Sequence, residues 1–84
     1  MEEFCIIAFD NTHHAIACEK RLLEKGFHIR MIPVPREVTA NCGLSIRFEP
    51  EDYDAVRLLV TEFSPISFYK VKKTGLKKEV TPMT

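Results

Sequence analysis

Apolar residues along this chain fall into segments of different period. Glu3 to Phe9 is a short apolar run rich in Ile and Phe, the pattern of a central strand buried on both faces. Asp10, Asn11 and Thr12 follow as turn and cap residues, and a helical period then runs to about Lys25, with Gly26 as its stop. On a helical projection Ala15, Ile16, Leu22 and Leu23 define one face, with Cys18 on its border and Glu19 near its middle. A carboxylate there calls for a rim position or an arginine partner, and Arg30 and Arg36 are available. Phe27 to Val34 predicts a second strand, closing at Pro33 and Pro35, which lack the N–H a ladder needs. Pro35 to Gly43 is too long for a tight hairpin and reads as a functional loop or one short helical turn. Leu44 to Phe48 alternates, with Leu44, Ile46 and Phe48 on one face and Ser45 and Arg47 on the other. Pro50, Glu51 and Asp52 open a second helix with the inward stripe Tyr53, Val56, Leu59, Val60 and Phe63, stopped by Ser64 and Pro65. Ile66 to Lys72 predicts a last strand on an exposed edge, where Lys70 and Lys72 are at home, and a frayed tail follows from Thr74.

Strand, helix, strand, strand, helix, strand is the order of a ferredoxin-like βαββαβ unit. Right-handed crossovers then give an α+β fold, with two helices on one face of a four-stranded antiparallel sheet. The expected organisation is one domain over residues 1–73 and a flexible, lysine-containing tail over 74–84. In this topology the Pro35 to Gly43 loop lies at the same end of the sheet as the Asp10 to His14 turn.

Composition narrows the classes of function. With 84 residues the chain has room for one modest core, and 45% hydrophobic against 29% charged residues is an ordinary globular balance. The net charge is zero, but unevenly spread. Met1 to Tyr69 has seven Lys or Arg against eleven Asp or Glu, whereas Lys70 to Thr84 has five lysines against Glu79 alone. The tail reads as a solubilising end, and the acidic body without interleaved basic and aromatic positions argues against nucleic acid. The opening MEEFCIIAFD is acidic and its apolar run too short for a signal peptide or a membrane span, so no membrane association is expected. Three cysteines without CxxC spacing suggest reduced thiols in a cytoplasmic protein, and no Cys/His spacing suggests a metal or other cofactor.

Candidate chemistry gathers at one thiol. Cys5 and Cys18 lie within apolar patterns and are assigned to packing, whereas Cys42 stands in the loop before the third strand. The topology puts that loop beside the first helix N-terminus, where Asn11, Thr12 and the free amides favour a thiolate. His13 or His14 would add positive charge when protonated, though adjacent helical residues diverge and at most one can point inward. Gly43 offers an unhindered amide and Arg36 a charge for an anionic substrate or persulfide.

The segments IIAFDNTHHAIACEKRLLEKG and MIPVPREVTANCGLSIRF also resemble a family of small bacterial proteins described as selenium/sulfur carrier-like, a domain of unknown function. The resemblance spans about Phe4 to Tyr69. Its most specific parts are Ala17-Cys18-Glu19-Lys20, the Pro35-Arg36 turn and the Cys42-Gly43 pair. It implies that Cys42 holds sulfur or selenium as a persulfide or selenosulfide, taken from a donor protein and handed to an acceptor. One departure is plain: small carriers of the TusA-like type present their thiol in Cys-Pro-x-Pro, whereas here Gly43 follows Cys42 and the prolines precede it.

A non-catalytic ferredoxin-like module binding a ligand or protein, with Cys42 only packed, is the alternative. A thiol-dependent enzyme using His13 or His14 with Asp10 ranks last, since no hydrolase or oxidoreductase signature accompanies them. Free sheet edges would allow a homodimer, and nothing in the sequence demands one.

Overall fold

A computed structural model describes residues 2–38, 43–63 and 66–83. The first strand, β1, runs over Glu2–Phe9 and the first helix, α1, over Thr12–Glu24. Two strands follow, β2 over Arg30–Pro33 and β3 over Leu44–Phe48. A 3-10 turn at Pro50–Asp52 leads into α2, Tyr53–Leu59. The chain then forms β4, Ile66–Thr74, and β5, Lys77–Met83. All five strands join one antiparallel sheet in the order β2-β3-β1-β4-β5.

Local chemistry sets the ends of α1. The Asn11 side chain accepts from the His14 N–H at 2.9 Å, capping one of the amides the first turn leaves open. At the other end Gly26 takes φ +85°, its N–H donates to the Leu23 carbonyl and the Phe27 N–H donates to that of Leu22. This is a Schellman closure, which needs a left-handed residue. It also explains why β2 is shorter than the apolar pattern suggests. Phe27 belongs to the helix terminus, and ladder pairing begins only at Arg30.

The inward face of α1 is Ala15, Cys18 and Leu22, all fully buried, while Ile16 and Leu23 are 54% and 55% exposed. Cys18 therefore lies at the centre of the buried face. Small residues at i and i+3 let the helix axis approach the sheet, and that close approach turns the flanking Ile and Leu outward. Glu19 is half-buried and forms no ion pair with Arg30 or Arg36 among the described residues. Instead Arg21 reaches α2, donating to the Leu59 carbonyl at 3.3 Å and to Glu62, with its guanidinium 4.9 Å over the Phe63 ring. A cation on the last turn of α2 suits the negative end of that helix.

The apolar positions expected on the second helix are inward, but α2 is shorter than the pattern suggests: it ends at Leu59, and Val60 and Phe63 lie in the turn that follows. Val56, Val60 and Phe63 are buried and Tyr53 and Leu59 pack beside them. With Cys5, Ile7 and Phe9 of β1, Ile46 and Phe48 of β3 and Phe68 of β4, they form the main core between both helices and one face of the sheet. Ser45 and Arg47 face the other way, as alternation requires.

The sheet has five strands where four were expected. Residues placed in a frayed tail form β5, which pairs with β4 from Phe68↔Met83 to Thr74↔Lys77. The connection is a two-residue hairpin with Gly75 at φ +60°, the backbone that a tight turn needs at its first central position. So β4 is no edge strand, being paired with β1 on one side and β5 on the other. Its lysines meet the acidic N-terminus: Lys70 lies 3.2 Å from Glu3 and Lys73 3.9 Å from Glu2.

Candidate functional site

The face of the sheet away from the helices carries a second apolar cluster, made of Phe4, Ile6 and Ala8 of β1, Val71 of β4 and Val38 from the β2–β3 loop. Ile6 and Val71 are fully buried although no helix covers them. Val38, 6% exposed, joins their cover by bending the loop onto this face. Its N–H donates to the Pro35 carbonyl at 3.0 Å, making a turn that turns the loop back over the strands. Glu37 then meets Lys78 of β5 at 3.3 Å. Its own backbone amide and Lys78 hold the Glu37 carboxyl below the usual carboxylate range. At the loop base the Val34 N–H donates to the Gly43 carbonyl at 3.0 Å, and the buried Ser45 hydroxyl donates to the Ile32 carbonyl at 3.2 Å.

Of the residues expected at the site, Cys42 lies outside the described residues. Gly43 is exposed, its φ is not positive, and a Cβ added there would meet no atom of the described residues within 4 Å. Neither backbone strain nor contact with the described residues therefore requires glycine at that position. Arg36 is exposed at the start of the loop turn.

Asn11, Thr12 and His13 are exposed at the start of α1, with Asn11 serving as cap. His14 is the inward member of the histidine pair. Its ring stands edge-on to Phe63 at 6.2 Å, and its Nδ1 is buried with no hydrogen-bond partner among the described residues. The register Pro33↔Leu44, Ala8↔Ser45 and Phe9↔Ile66 puts the loop base and the helix start at the same end of the sheet. From that shared end the two diverge. His14 packs toward α2 on the helix face, whereas Val38 and Glu37 carry the described part of the loop across the opposite face.

The other two thiols sit in the main core. Cys5 is fully buried with its Sγ 3.8 Å from Met83 Sδ, and burial raises its pKa against the pull of Lys70. Burial pushes the Cys18 thiol up to about 12. Neither forms a thiolate near neutrality, which is what nucleophilic sulfur chemistry needs.

Among the described residues no group of three or more His, Cys, Asp or Glu stands close enough to hold a metal ion, and no helix is long and apolar enough to cross a membrane. The sequence reading missed β5 and, with it, the Glu37–Lys78 pair that ties the loop to the far side of the sheet. The available signal was Gly75 between two runs that alternate around Val71 and Val80.

Residues 4–70 match the model of the family described as Putative Se/S carrier protein-like. The match takes in the first four strands in part or whole, both helices and the β2–β3 loop, and stops before β5. Neither a curated protein nor a solved structure matches the chain.

Proposed function

Since the chain belongs to the Se/S carrier protein-like family, we propose that it carries sulfur or selenium on Cys42 between a donor and an acceptor protein in the cytoplasm. The observation that carries this reading is the state of the other thiols. Cys5 and Cys18 are sealed in the core with raised pKa values, so a thiol carrier built on this chain has Cys42 as its carrying group. Family membership supports the kind of cargo, and the placement of the loop base at an exposed sheet end supports access by a partner.

The transfer balances without an external oxidant. The Cys42 thiolate attacks the outer sulfur of a donor persulfide, forms a new S–S bond, and the donor leaves as its thiolate. An acceptor thiolate then attacks the outer sulfur of the Cys42 persulfide and restores the Cys42 thiolate. Selenium follows the same sequence as a selenosulfide. Arg36, in the same loop as Cys42, is the cation we assign to steady the anionic persulfide, and Gly43 follows the thiol without a side chain of its own.

We read the first four strands, in the order β2-β3-β1-β4 with a helical crossover in each half, as a ferredoxin-like unit extended by β5.

The test is intact-mass spectrometry after incubation with a persulfide donor. Wild type should gain one sulfur atom, removable by a thiol reductant, and Cys42→Ser should gain none. Equal gain by both, or by neither, would leave a binding module in which Cys42 only packs.

A further inference from the structure

We propose that the cleft at the Arg30 end of the sheet binds a tetrahedral oxyanion, as free phosphate or as the phosphoryl group of a phosphomonoester, held between Arg30 and Arg47. This site is independent of the Cys42 reading: Arg30 opens β2, whereas the Cys42 loop leaves from Pro33 at the other end of that strand.

The register supplies the first argument. Arg30 and Arg47 are direct cross-strand partners, so their side chains leave the sheet on the same face as close neighbours. Like charges directly opposite are unfavourable, and this pair cannot separate by slipping. Met31↔Ile46 on the next rung puts both residues into the main core, and a one-residue shift would turn them outward. An anion between the two guanidinium groups converts that repulsion into a clamp, for which the planar fork of arginine is suited.

The second argument is preorganisation. Arg47 lies 4.1 Å over the Phe4 ring and donates through Nη2 to Glu2 at 3.1 Å, which fixes its plane and leaves other N–H groups to serve a ligand. Glu2 does not cancel the site, because its second oxygen is shared with Lys73 at 3.9 Å. Arg30 is exposed and has no ion pair among the described residues. His28 lines the same cleft.

Size is the third. The cleft encloses about 450 Å³, within the range of small-molecule sites and larger than a lone phosphate requires. Glu2 and Glu49 also line it; since Arg47 and Lys73 already engage Glu2, Glu49 is the carboxylate whose charge chiefly opposes an anion there. Its removal should therefore tighten binding, the reverse of what a site for a zwitterion or a cation would show.

Amide chemical shifts of the full ¹⁵N-labelled chain, titrated at low ionic strength, test the proposal. The probes are inorganic phosphate and glycerol phosphate, against chloride at matched ionic strength. Saturable shifts should cluster at residues 28–31 and 46–49. Arg30→Gln, an exposed change that keeps the fold, should weaken binding by about tenfold or more, the scale of a lost charge-assisted contact. Glu49→Gln should tighten it and Cys42→Ser should leave it unchanged. Tighter binding of glycerol phosphate than of phosphate identifies an ester ligand, and equal binding identifies the free ion. No saturation, shifts centred on the β4–β5 lysines, indifference to Arg30→Gln, or weaker binding in Glu49→Gln overturns the proposal.

Discussion

The two core thiols are more than bystanders, because their burial makes stability depend on alkaline pH. Cys18 titrates at about 12 when folded and near 9.0 when exposed. Between those values the unfolded chain has lost a proton that the folded chain still holds, so stability falls as pH rises through that window. The slope from this group approaches about 1.4 kcal/mol per pH unit and vanishes below pH 9. Urea unfolding at stepped pH, under reducing conditions, should show a shallower alkaline loss in Cys18→Ala than in wild type; parallel curves would mean that Cys18 ionises freely in the fold. The packing role of Cys5 was legible from its apolar neighbours in a central strand. The centrality of Cys18 was not, since a helical projection weights Ile16 and Leu23 by hydrophobicity while the sheet selected Ala15 and Cys18 for their small size. His14 was half legible: at most one of the two histidines could point inward, but only the packed position of Phe63 decides which and toward what.

At the scale of elements, the β2–β3 loop behaves as a strap whose described part is held by the buried Val38, by Val34 packed against the same cluster, and by the Glu37–Lys78 ion pair. Val38 seals Phe4, Ile6, Ala8 and Val71 on the face that the helices leave bare. Truncating it to alanine removes two methyl groups from a nearly closed site and should cost about 1–2 kcal/mol by urea unfolding. Val38→Asp should cost more, because a carboxylate would be buried without a partner. The contrasting variant is Gly43→Ala at the loop base, expected to stay within about 0.5 kcal/mol, since an added methyl meets none of the described residues and the backbone is not left-handed. If Val38→Ala were as silent as Gly43→Ala, the strap would not be anchored there. Sequence rules found the loop by its length and its prolines, but its course over the sheet depends on an apolar face visible only once β1 and β4 are paired. The helix caps and β3 were legible because Asn11, Gly26 and the alternation of Leu44 to Phe48 are local signals.

Across the whole molecule, the charge asymmetry of the sequence resolves into internal pairing. The acidic start of the chain and the lysine-rich end lie side by side, with Glu2 and Glu3 on β1 against Lys73 and Lys70 on β4, and Glu37 of the strap against Lys78 on β5. A segment with seven strand residues and only Val80 and Met83 as sizeable apolar side chains reads as a tail, because an edge strand needs few buried positions. Yet β5 does three things for the rest of the fold. It covers the outer edge of β4, it places Met83 against Cys5 in the main core, and it supplies the basic end of the strap ion pair. It also lies beyond the residues that match the family, 4–70. Removing residues 75–84 tests whether β5 is structural. Loss of the Val80 and Met83 contacts should lower stability by roughly 2–3 kcal/mol on area grounds. It should also expose the N–H and C=O groups of β4 along a strand that contains Val71 and Tyr69. The truncated chain is thus expected to unfold at lower urea concentration and to associate through the uncovered edge as its concentration rises, seen by sedimentation. A truncated chain that kept the wild-type midpoint and stayed monomeric would return residues 75–84 to the status of a solvated tail, and would show that β4 and the strap stand without it.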